Sequence, residues 1–359
     1  DISNLLRNSV PSYSVNDQPI SDAATLIRPA NLRGMAPDHT LLLVNGKRRH
    51  RAAVITWLGN GISNGSQGPD AAAIPAMALK NVEVLRDGAA AQYGSDAIAG
   101  VINFSLKDAS EGSSISLRAG EYGEGDGQAL TFSANTGMEL GSNGFVNMTF
   151  EYGSSEATSR SEQRGDAQGL IDAGVQDVPA PAMIWGRPIV DDDMKLFVNF
   201  GADLGGGTEM YGYTNFNSKN VDGGFFFRNP TNRPGVFADG GDDDNLLVAD
   251  TTADMSGNCD QYAVPYSASV VAGLIADDNC FNFNETIPGG FTPRFGGKVT
   301  DQSFLFGLKG ETDGGLGWDV STYYGKNKAD FHINNTVNAS LLASTPRNFD
   351  PGYYQQVDM

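Results

Sequence analysis

The sequence predicts a small α+β domain over residues 1–110, followed over residues 111–359 by part of an antiparallel β-barrel. Three observations lead to this fold class. The charge changes near residue 110, apolar and polar residues alternate along the second region, and its connections are short and long in turn. Alternation gives each strand one apolar and one polar face, which favours sheet over helix.

The net charge of -19 is divided unevenly between the two regions. Residues 1–110 hold ten basic and nine acidic side chains, which leaves 14 basic and 34 acidic ones for residues 111–359. Because so acidic a surface repels phosphate backbones, the charge argues against nucleic acid as a partner.

Seven segments of the second region carry the alternating pattern. In one of them, Ile115, Leu117 and Ala119 alternate with polar residues. The predicted strands cover residues 114–119, 130–135, 146–152, 196–200, 304–308 and 318–324, with a weaker candidate at 210–216.

The connections between these strands alternate strictly in length. Short glycine-rich turns occupy residues 138–144, 203–207 and 311–317, and long connections occupy residues 120–127, 153–194 and 217–301. This alternation is typical of transmembrane β-barrels, which have short periplasmic turns and long external loops. An extracellular all-β domain is the alternative. No stretch offers the ~18 apolar residues of a spanning helix.

The first region contains short apolar segments typical of buried strands. We predict strands at Thr40–Val44, Asn81–Leu85 and Val101–Leu106, and a short helix over Ala71–Leu79 that Pro75 interrupts. These elements form a mixed unit that precedes the barrel.

Three stretches of this unit resemble, in order, the plug domain of TonB-dependent receptors of the Gram-negative outer membrane. "NLRGMAPDHTLLLVNGKRRHR" resembles the Arg-Gly turn and the hairpin of that family, "PDAAAIPAMALKNVEVL" its Ile-Pro segment, and "VEVLRDGAAAQYGSDAIAGVINF" its C-terminal half. The resemblance covers about residues 22–107. It implies a structural or gating role for Arg33, Gly34, Asn45, Gly46, Glu83, Arg86, Gly88, Tyr93, Gly94 and Gly100.

The resemblance implies active import across the outer membrane. In the family, a plug occludes a barrel of about 22 strands, the ligand binds at the external face, and TonB with ExbB and ExbD opens a path. The chain shows no convincing TonB box, and the 249 residues after position 110 are too few for about 22 strands. We therefore expect a partial receptor, with the plug and about the first third of the barrel.

The ligand class stays open in the sequence. A ferric siderophore or similar chelate, a cofactor, an oligosaccharide and a peptide all fit. The alternative function is a non-transporting outer-membrane β-barrel, or a surface binding protein, that retains a plug-like domain.

A basic cluster over residues 47–51 is the sharpest charge feature of the sequence. Lys47 and Arg48 favour salt bridges to an acidic barrel lumen, whereas His50 and Arg51 begin the connection to Asp70, which by family position is a ligand-facing apex. A polar loop packed against the barrel is the alternative. The candidate substrate-binding residues are His50, Arg51, Trp57, Asn60, Asn64 and Gln67.

No pattern in the sequence indicates catalysis, a cofactor or a metal. The three histidines lie in no metal-type spacing, and no nucleophile motif is visible. The runs Asp191–Asp193 and Asp242–Asp244 could bind calcium, but solvated loop charge is favoured because the spacing is not that of a calcium loop. Cys259 and Cys280 fit either two free thiols or, preferably, one disulfide.

Overall fold

The computed structural model describes residues 2–15, 25–56, 64–86 and 90–359. Its N-terminal part begins with helix α1 (Ile2–Ser9), and strand β1 (Tyr13–Ser14) pairs antiparallel with β2 (Asn31–Leu32). Leu6 of the helix and Leu32 of the strand are almost completely buried, because both pack into the core of the plug domain.

A mixed four-stranded sheet forms the centre of the plug. Its strands are β3 (Thr40–Val44), β4 (Lys47–Arg48), β5 (Leu79–Leu85) and β6 (Gly100–Leu106). The spatial order is β4-β3-β6-β5, in which β3 and β6 are parallel and the other pairs antiparallel. Asn45 and Gly46 join β3 to β4 with φ angles of 50° and 77°, which suits a two-residue hairpin turn.

Two short 3₁₀ helices, Ala71–Ala73 and Ala76–Ala78, replace the predicted helix over residues 71–79. Pro75 is the physical reason. A proline disfavours helical geometry in the residue before it, and Ile74 is accordingly extended, with φ -100° and ψ 119°.

The connection from β5 to β6 contains helix α2 (Ala90–Tyr93) and a 3₁₀ turn at Ser95–Ala97. Gly100 has φ 146°, and a Cβ atom there would collide with the carbonyl oxygen of Leu85, so a glycine is required. Gly88 lies outside the described residues.

The second region forms one antiparallel sheet of eight strands, in line with the predicted partial barrel. Neighbouring strands in this sheet are consecutive barrel strands along the chain. In chain order the elements of this region are β7 (Ser113–Gly120), β8 (Ala129–Glu139), β9 (Gly144–Ser155), α3 (Gly165–Asp172), β10 (Ile189–Gly205), β11 (Thr208–Gly224), β12 (Ala249–Asp250), α4 (Ala268–Ile275), β13 (Cys280–Phe281), β14 (Arg294–Glu311), β15 (Gly317–Asn334) and β16 (Phe349–Asp358). Strands β12 and β13 pair with each other and stand outside the large sheet.

Strand β16 was not among the predicted strands, and β10, β11, β14 and β15 are longer than predicted. The segment of β16 contains Pro351 and Gly352, which hide its alternation. Because the strands extend further, the two longest loops cover residues 156–188 and 225–293, which is shorter than the predicted 153–194 and 217–301.

Burial across the large sheet is inverted relative to a water-soluble protein. Asn327 and Asp301 are 0% and 4% exposed on the face that carries the plug, whereas Leu117 and Val320 are both 69% exposed on the other face. Charged and amide side chains are seldom fully buried, and a wide exposed apolar face marks a contact surface. An apolar outer face and a polar inner face are what a lipid-facing barrel requires.

The two long loops pack against each other beyond one end of the sheet. Ala167 and Leu170 of α3 cluster with Phe227 of the second loop. Asp166 accepts hydrogen bonds from Arg164 and, at 3.1 Å, from Asn229. The bond from Arg164 contributes most to lowering the pKa of Asp166 to about 2.

The second loop has a small core of its own. The core contains Phe237, Phe281, Phe283 and Phe291. Next to it a disulfide joins Cys259 to Cys280, with the two Cα atoms 5.6 Å apart. This loop is therefore a compact unit that is held by a cross-link.

Candidate functional site

The plug is seated on the polar face of the sheet through the segment that follows β4. Arg49 is 3% exposed and reaches across to the barrel, where Nη1 donates to Asn215 Oδ1 at 2.8 Å and to Ser303 Oγ at 3.0 Å. Its Nη2 atom forms an ion pair with Asp301. Burial is the largest single influence and opposes the charge, but Asp301 together with Tyr323, Tyr213 and Asp70 outweighs it, so the pKa of Arg49 is raised.

His50 contacts the same carboxylate from the other side. Its Nε2 lies 2.7 Å from Asp301 Oδ2, and its Nδ1 lies 2.6 Å from the hydroxyl of Tyr323. A neutral imidazole with its proton on Nε2 satisfies both contacts, because Nε2 donates to the carboxylate and Nδ1 accepts from the hydroxyl. We call the group of Arg49, His50, Asn215, Asp301 and Tyr323 the Asp301 junction.

A glycine of the barrel makes room for the imidazole. A Cβ atom at Gly325 would lie 2.5 Å from ring atoms of His50, so any other residue there would displace the ring. Asn327, two positions further along β15, donates to Asp301 Oδ2 at 3.0 Å, and its Oδ1 accepts from the backbone N–H of Ala53 at 2.8 Å. Strand β15 therefore fits the plug by shape and by hydrogen bonds.

Further polar contacts surround the junction. Lys219 of the barrel pairs with Asp70 of the plug at 3.0 Å, and Asn45 Nδ2 donates to Asn199 Oδ1 at 3.1 Å. Apolar contacts also hold the plug on the barrel sheet, because Phe197, Tyr213 and Leu305 of the barrel belong to the core cluster of the plug. Several polar barrel residues contact the plug but were not predicted from the sequence. They are Asn199, Asn215, Lys219, Asp301, Ser303, Tyr323 and Asn327.

The first two residues of the basic cluster have different partners. Lys47 pairs with Asp319 of the barrel at 2.9 Å, as the sequence predicts. The partner of Arg48 is instead Asp96 of the plug, which Arg51 also approaches at 3.6 Å. Although partial burial acts to raise it, the pKa of Asp96 is lowered by Arg48 and then by Arg51.

The connection from Arg51 to Asp70, which the family position predicts to be a ligand-facing apex, is described over residues 51–56 and 64–70. Its two sides meet where the backbone N–H of Thr56 donates to the carbonyl of Ser66 at 3.0 Å. The same two residues form an isolated antiparallel bridge. Asn64 is exposed beside this bridge.

The structure distributes the six candidate binding residues unevenly. Trp57 and Asn60 lie outside the described residues, and Asn64 is exposed at the apex. The Arg51 side chain is 43% exposed. Gln67 is buried in part and braces the apex, since its Nε2 donates to the carbonyl of Ala52 at 2.9 Å.

His50 differs from the other described candidates, Arg51, Asn64 and Gln67, because it is only 2% exposed. Both of its ring nitrogens contact barrel side chains. A ligand could reach this ring only after the Asp301 junction had opened, so in the described state His50 holds the plug in place.

The residues of the plug motifs contact one another within the plug. Arg33 and Gly34 turn with φ angles of 56° and 70°, and Arg33 Nη1 donates to the carbonyl of Arg86 at 3.1 Å. Asn103 donates to Glu83 at 2.9 Å. Tyr93 packs against the apolar cluster of Leu41, Leu43, Ala97 and Val101.

Neither a metal cluster nor a spanning helix is found in the parts of the chain that the structure describes. No group of three or more His, Cys, Asp or Glu side chains is arranged to hold a metal ion there. None of the described helices is both long enough and apolar enough to cross a membrane. In the Asp191–Asp193 run, Asp192 accepts from Tyr152 at 2.8 Å and Asp193 pairs with Lys195 at 3.1 Å.

Comparisons with known proteins agree with this arrangement. Residues 1–101 match the family model of the TonB-dependent Receptor Plug Domain. A probable TonB-dependent siderophore receptor of Acinetobacter baumannii is 35% identical over 109 residues, which are 30% of this chain and 14% of that protein. A vitamin B12 transporter of Vibrio vulnificus is 32% identical over 127 residues, 35% of this chain and 18% of the transporter.

A solved structure extends the likeness over the barrel sheet. The crystal structure of a ferric enterobactin receptor from Pseudomonas aeruginosa, in complex with enterobactin, covers 99% of this chain with a TM-score of 0.52 and 19% identity. The chain corresponds to 42% of that receptor, so it spans less than half the length of its structural relative. At this identity the likeness concerns the fold alone. Residues 1–101 therefore belong to the plug-domain family of TonB-dependent receptors, and the whole chain, with its plug on the polar face of a partial barrel sheet, is similar to such receptors in fold.

Proposed function

We propose that the protein imports a scarce ligand across the outer membrane of a Gram-negative bacterium, with the plug gating the barrel lumen. One observation carries the proposal. The plug is docked by buried polar contacts on one face of a sheet whose other face is apolar and exposed. A removable plug inside a lipid-facing wall is suited to gated passage. The energy source in this proposal is TonB, acting with ExbB and ExbD.

The ligand class in this proposal is a ferric siderophore or similar chelate, a cofactor, an oligosaccharide or a peptide. The names of the relatives support more than one of these classes, because they include siderophore receptors and a vitamin B12 transporter. We propose that the ligand first meets the apex, where Arg51 and Asn64 are accessible. A guanidinium and amides together suit carboxylate or phenolate oxygens and polar groups of a chelate.

The proposal is tested by uptake in cells that lack the gene and in cells complemented with it. The probes are radioactive iron loaded onto siderophores from the organism's own culture medium, and radiolabelled cyanocobalamin. We expect uptake of one probe to require both the gene and a functional TonB system. Binding without energy-dependent uptake would instead indicate a surface binding protein. Absence of the protein from the outer-membrane fraction would contradict the barrel itself.

A substitution at the apex tests the proposed binding residues. We expect Trp57→Ala to weaken binding of the transported probe, because an indole offers the largest stacking surface of the apex sequence. The matched control is Trp185→Ala, which removes a 53% exposed indole from the first long loop. Equal affinities in the native protein and the Trp57 variant would remove this residue from the site.

A further inference from the structure

Three lysines lie together on the outer face of the barrel sheet, toward its external end. They are Lys298 on β14 and Lys326 and Lys328 on β15. Their chain neighbours Val299 and Asn327 are 3% and 0% exposed on the plug side. Because successive side chains of a strand point to opposite faces, the lysines point away from the plug.

The strand register sets the spacing of the three lysines on the two strands. Lys326 lies opposite Gln302, Lys328 opposite Thr300, and Lys298 opposite Asp330. Neighbouring strands are ~4.8 Å apart, and alternate residues of one strand are ~7 Å apart. Lys328 is therefore a neighbour of both other lysines, whereas Lys298 and Lys326 lie four positions, or ~14 Å, apart along the strands. The flexible side chains of Lys298 and Lys326 can share one anionic group by converging on Lys328.

The position of these lysines along the barrel axis follows from the outward residues that precede them on β15. From the short turn upward, the outward residues of β15 are Trp318, Val320, Thr322 and Tyr324, and Lys326 is next. The strand from Trp318 to Lys326 extends ~27 Å along its axis, or ~20 Å across a membrane at a strand tilt of ~40°. The lysines thus lie near the external edge of an apolar band that is ~25 Å tall.

Cations outnumber carboxylates in this patch. Asp330 pairs with Lys328, and Asp222 pairs with Arg294 at 2.8 Å. Within the described residues, Lys298 and Lys326 have no carboxylate within 4.0 Å. The surplus is unusual here, because residues 111–359 hold only 14 basic against 34 acidic side chains.

An aromatic ring accompanies the cations. The Lys328 amine lies 4.3 Å from the ring centre of Tyr353, a tyrosine of β16 that is 59% exposed. Tyrosines are enriched where a membrane protein passes from acyl chains to headgroups. The patch therefore combines the cations and the aromatic surface of a headgroup contact.

We propose that Lys298, Lys326 and Lys328 bind a phosphate group of a lipid in the outer leaflet. An ammonium donates charge-assisted hydrogen bonds to phosphate oxygens, and the lipid's acyl chains would lie along the apolar band below. The inference rests on membrane insertion of the barrel, and it holds whatever ligand the protein imports. A bound lipid of this kind would fix the height of the external loops above the membrane.

The test uses the full-length protein, purified in detergent from the outer membrane of its native cells. Native mass spectrometry measures retention of diphosphorylated lipid A and of the same lipid after removal of its phosphates. We expect the native protein to prefer the phosphorylated form and Lys298→Gln/Lys326→Gln to bind it about 30-fold more weakly, since each lysine near a membrane contributes ~1 kcal/mol. Lys309→Gln, at the other end of β14 and paired with Glu209, is the matched control.

Two results would overturn the lipid site. One is equal affinity of the native protein and the double variant for the phosphorylated lipid, and the other is equal affinity of the native protein for both forms of the lipid. Displacement by millimolar inorganic phosphate would show a site for free anions instead. Unchanged uptake by the double variant confirms that it folds, and it separates the lipid site from the transport proposal.

Discussion

Asp301 is the single carboxylate on which two side chains of the plug's basic cluster converge. Arg49 and His50 contact different oxygens of the same group, and all three side chains are at most 5% exposed. Desolvation of a buried ion pair is costly, so such a pair adds little net stability compared with apolar residues. Removal of one partner, in contrast, is strongly destabilising, because it leaves the other charge buried without a counterion.

We predict that Asp301→Asn loosens the seat of the plug by about 3–5 kcal/mol, since Arg49 would keep its charge without a counterion. Hydrogen exchange of the Thr40–Val44 strand, measured in the detergent-solubilised full-length protein, should become faster. The matched control is Asp319→Asn, which breaks the more exposed pair with Lys47 and should cost less than about 1 kcal/mol. Similar hydrogen-exchange rates in the two variants would contradict the prediction that Asp301 contributes more than Asp319 to holding the plug.

Residue types alone did not point to Asp301. Asn215 occupies a polar position of a predicted strand, where the pattern predicts only a polar face, whereas Asp301 ends a predicted loop and Ser303 precedes the predicted strand at 304–308. Their convergence on Arg49 depends on which strands are neighbours and in which register. The sequence did single out the cationic half of the junction, because Arg49 and His50 belong to a dense basic cluster.

At the scale of elements, the strands continue past the apolar band. Strands β14 and β15 each have 18 residues, whereas crossing a membrane requires ~9–11. Beyond the band the outward residues are polar as well, as at Thr300 and Gln302, so the alternation disappears although the pairing continues. This explains why the predicted strands were too short and the predicted loops too long.

The external loop over residues 225–293 is the element in which a cross-link should matter most. The disulfide joins residues that are 21 positions apart, and closing a segment of that length contributes about 3 kcal/mol, chiefly by restricting the unfolded chain. We predict that Cys259→Ala/Cys280→Ala makes the loop sensitive to proteolysis while the barrel strands stay protected. Limited proteolysis followed by peptide mass mapping checks this outcome.

Two results would contradict the role given to the disulfide. One is the finding of two free thiols in the native protein without reductant. The other is equal proteolysis of the native loop and the double variant, which would mean that the cluster of Phe237, Phe281, Phe283 and Phe291 holds the loop by itself.

At the scale of the whole molecule, the pattern of burial in the large sheet differs from that in the plug and the loops. The plug and the loops have apolar cores, whereas the large sheet turns polar residues inward and apolar residues outward. An exposed apolar wall of this extent would aggregate in water. Lipid on the outside and a plug with water on the inside, as in the proposed function, would satisfy both faces.

We predict that Phe304→Arg, at an outward position that is 45% exposed, costs about 2–4 kcal/mol in a lipid bilayer. Ser218→Arg faces outward nearer the external end and should cost at most about 1 kcal/mol. Urea unfolding in lipid vesicles measures both values. Equally small effects, within about 0.5 kcal/mol, would instead indicate a water-exposed surface.

The sequence by itself determined the order of the two domains, the plug motifs and most of the barrel strands. These features depend on local chemistry, such as period two in residues 114–119, the turn at Asn45 and Gly46, and small residues at close approaches. Only the tertiary structure decided that His50 is buried, that Arg48 pairs within the plug, and that three lysines share one patch. The physical reason is that these contacts join residues far apart in the chain, by 251 positions for His50 and Asp301, and so depend on strand order and register.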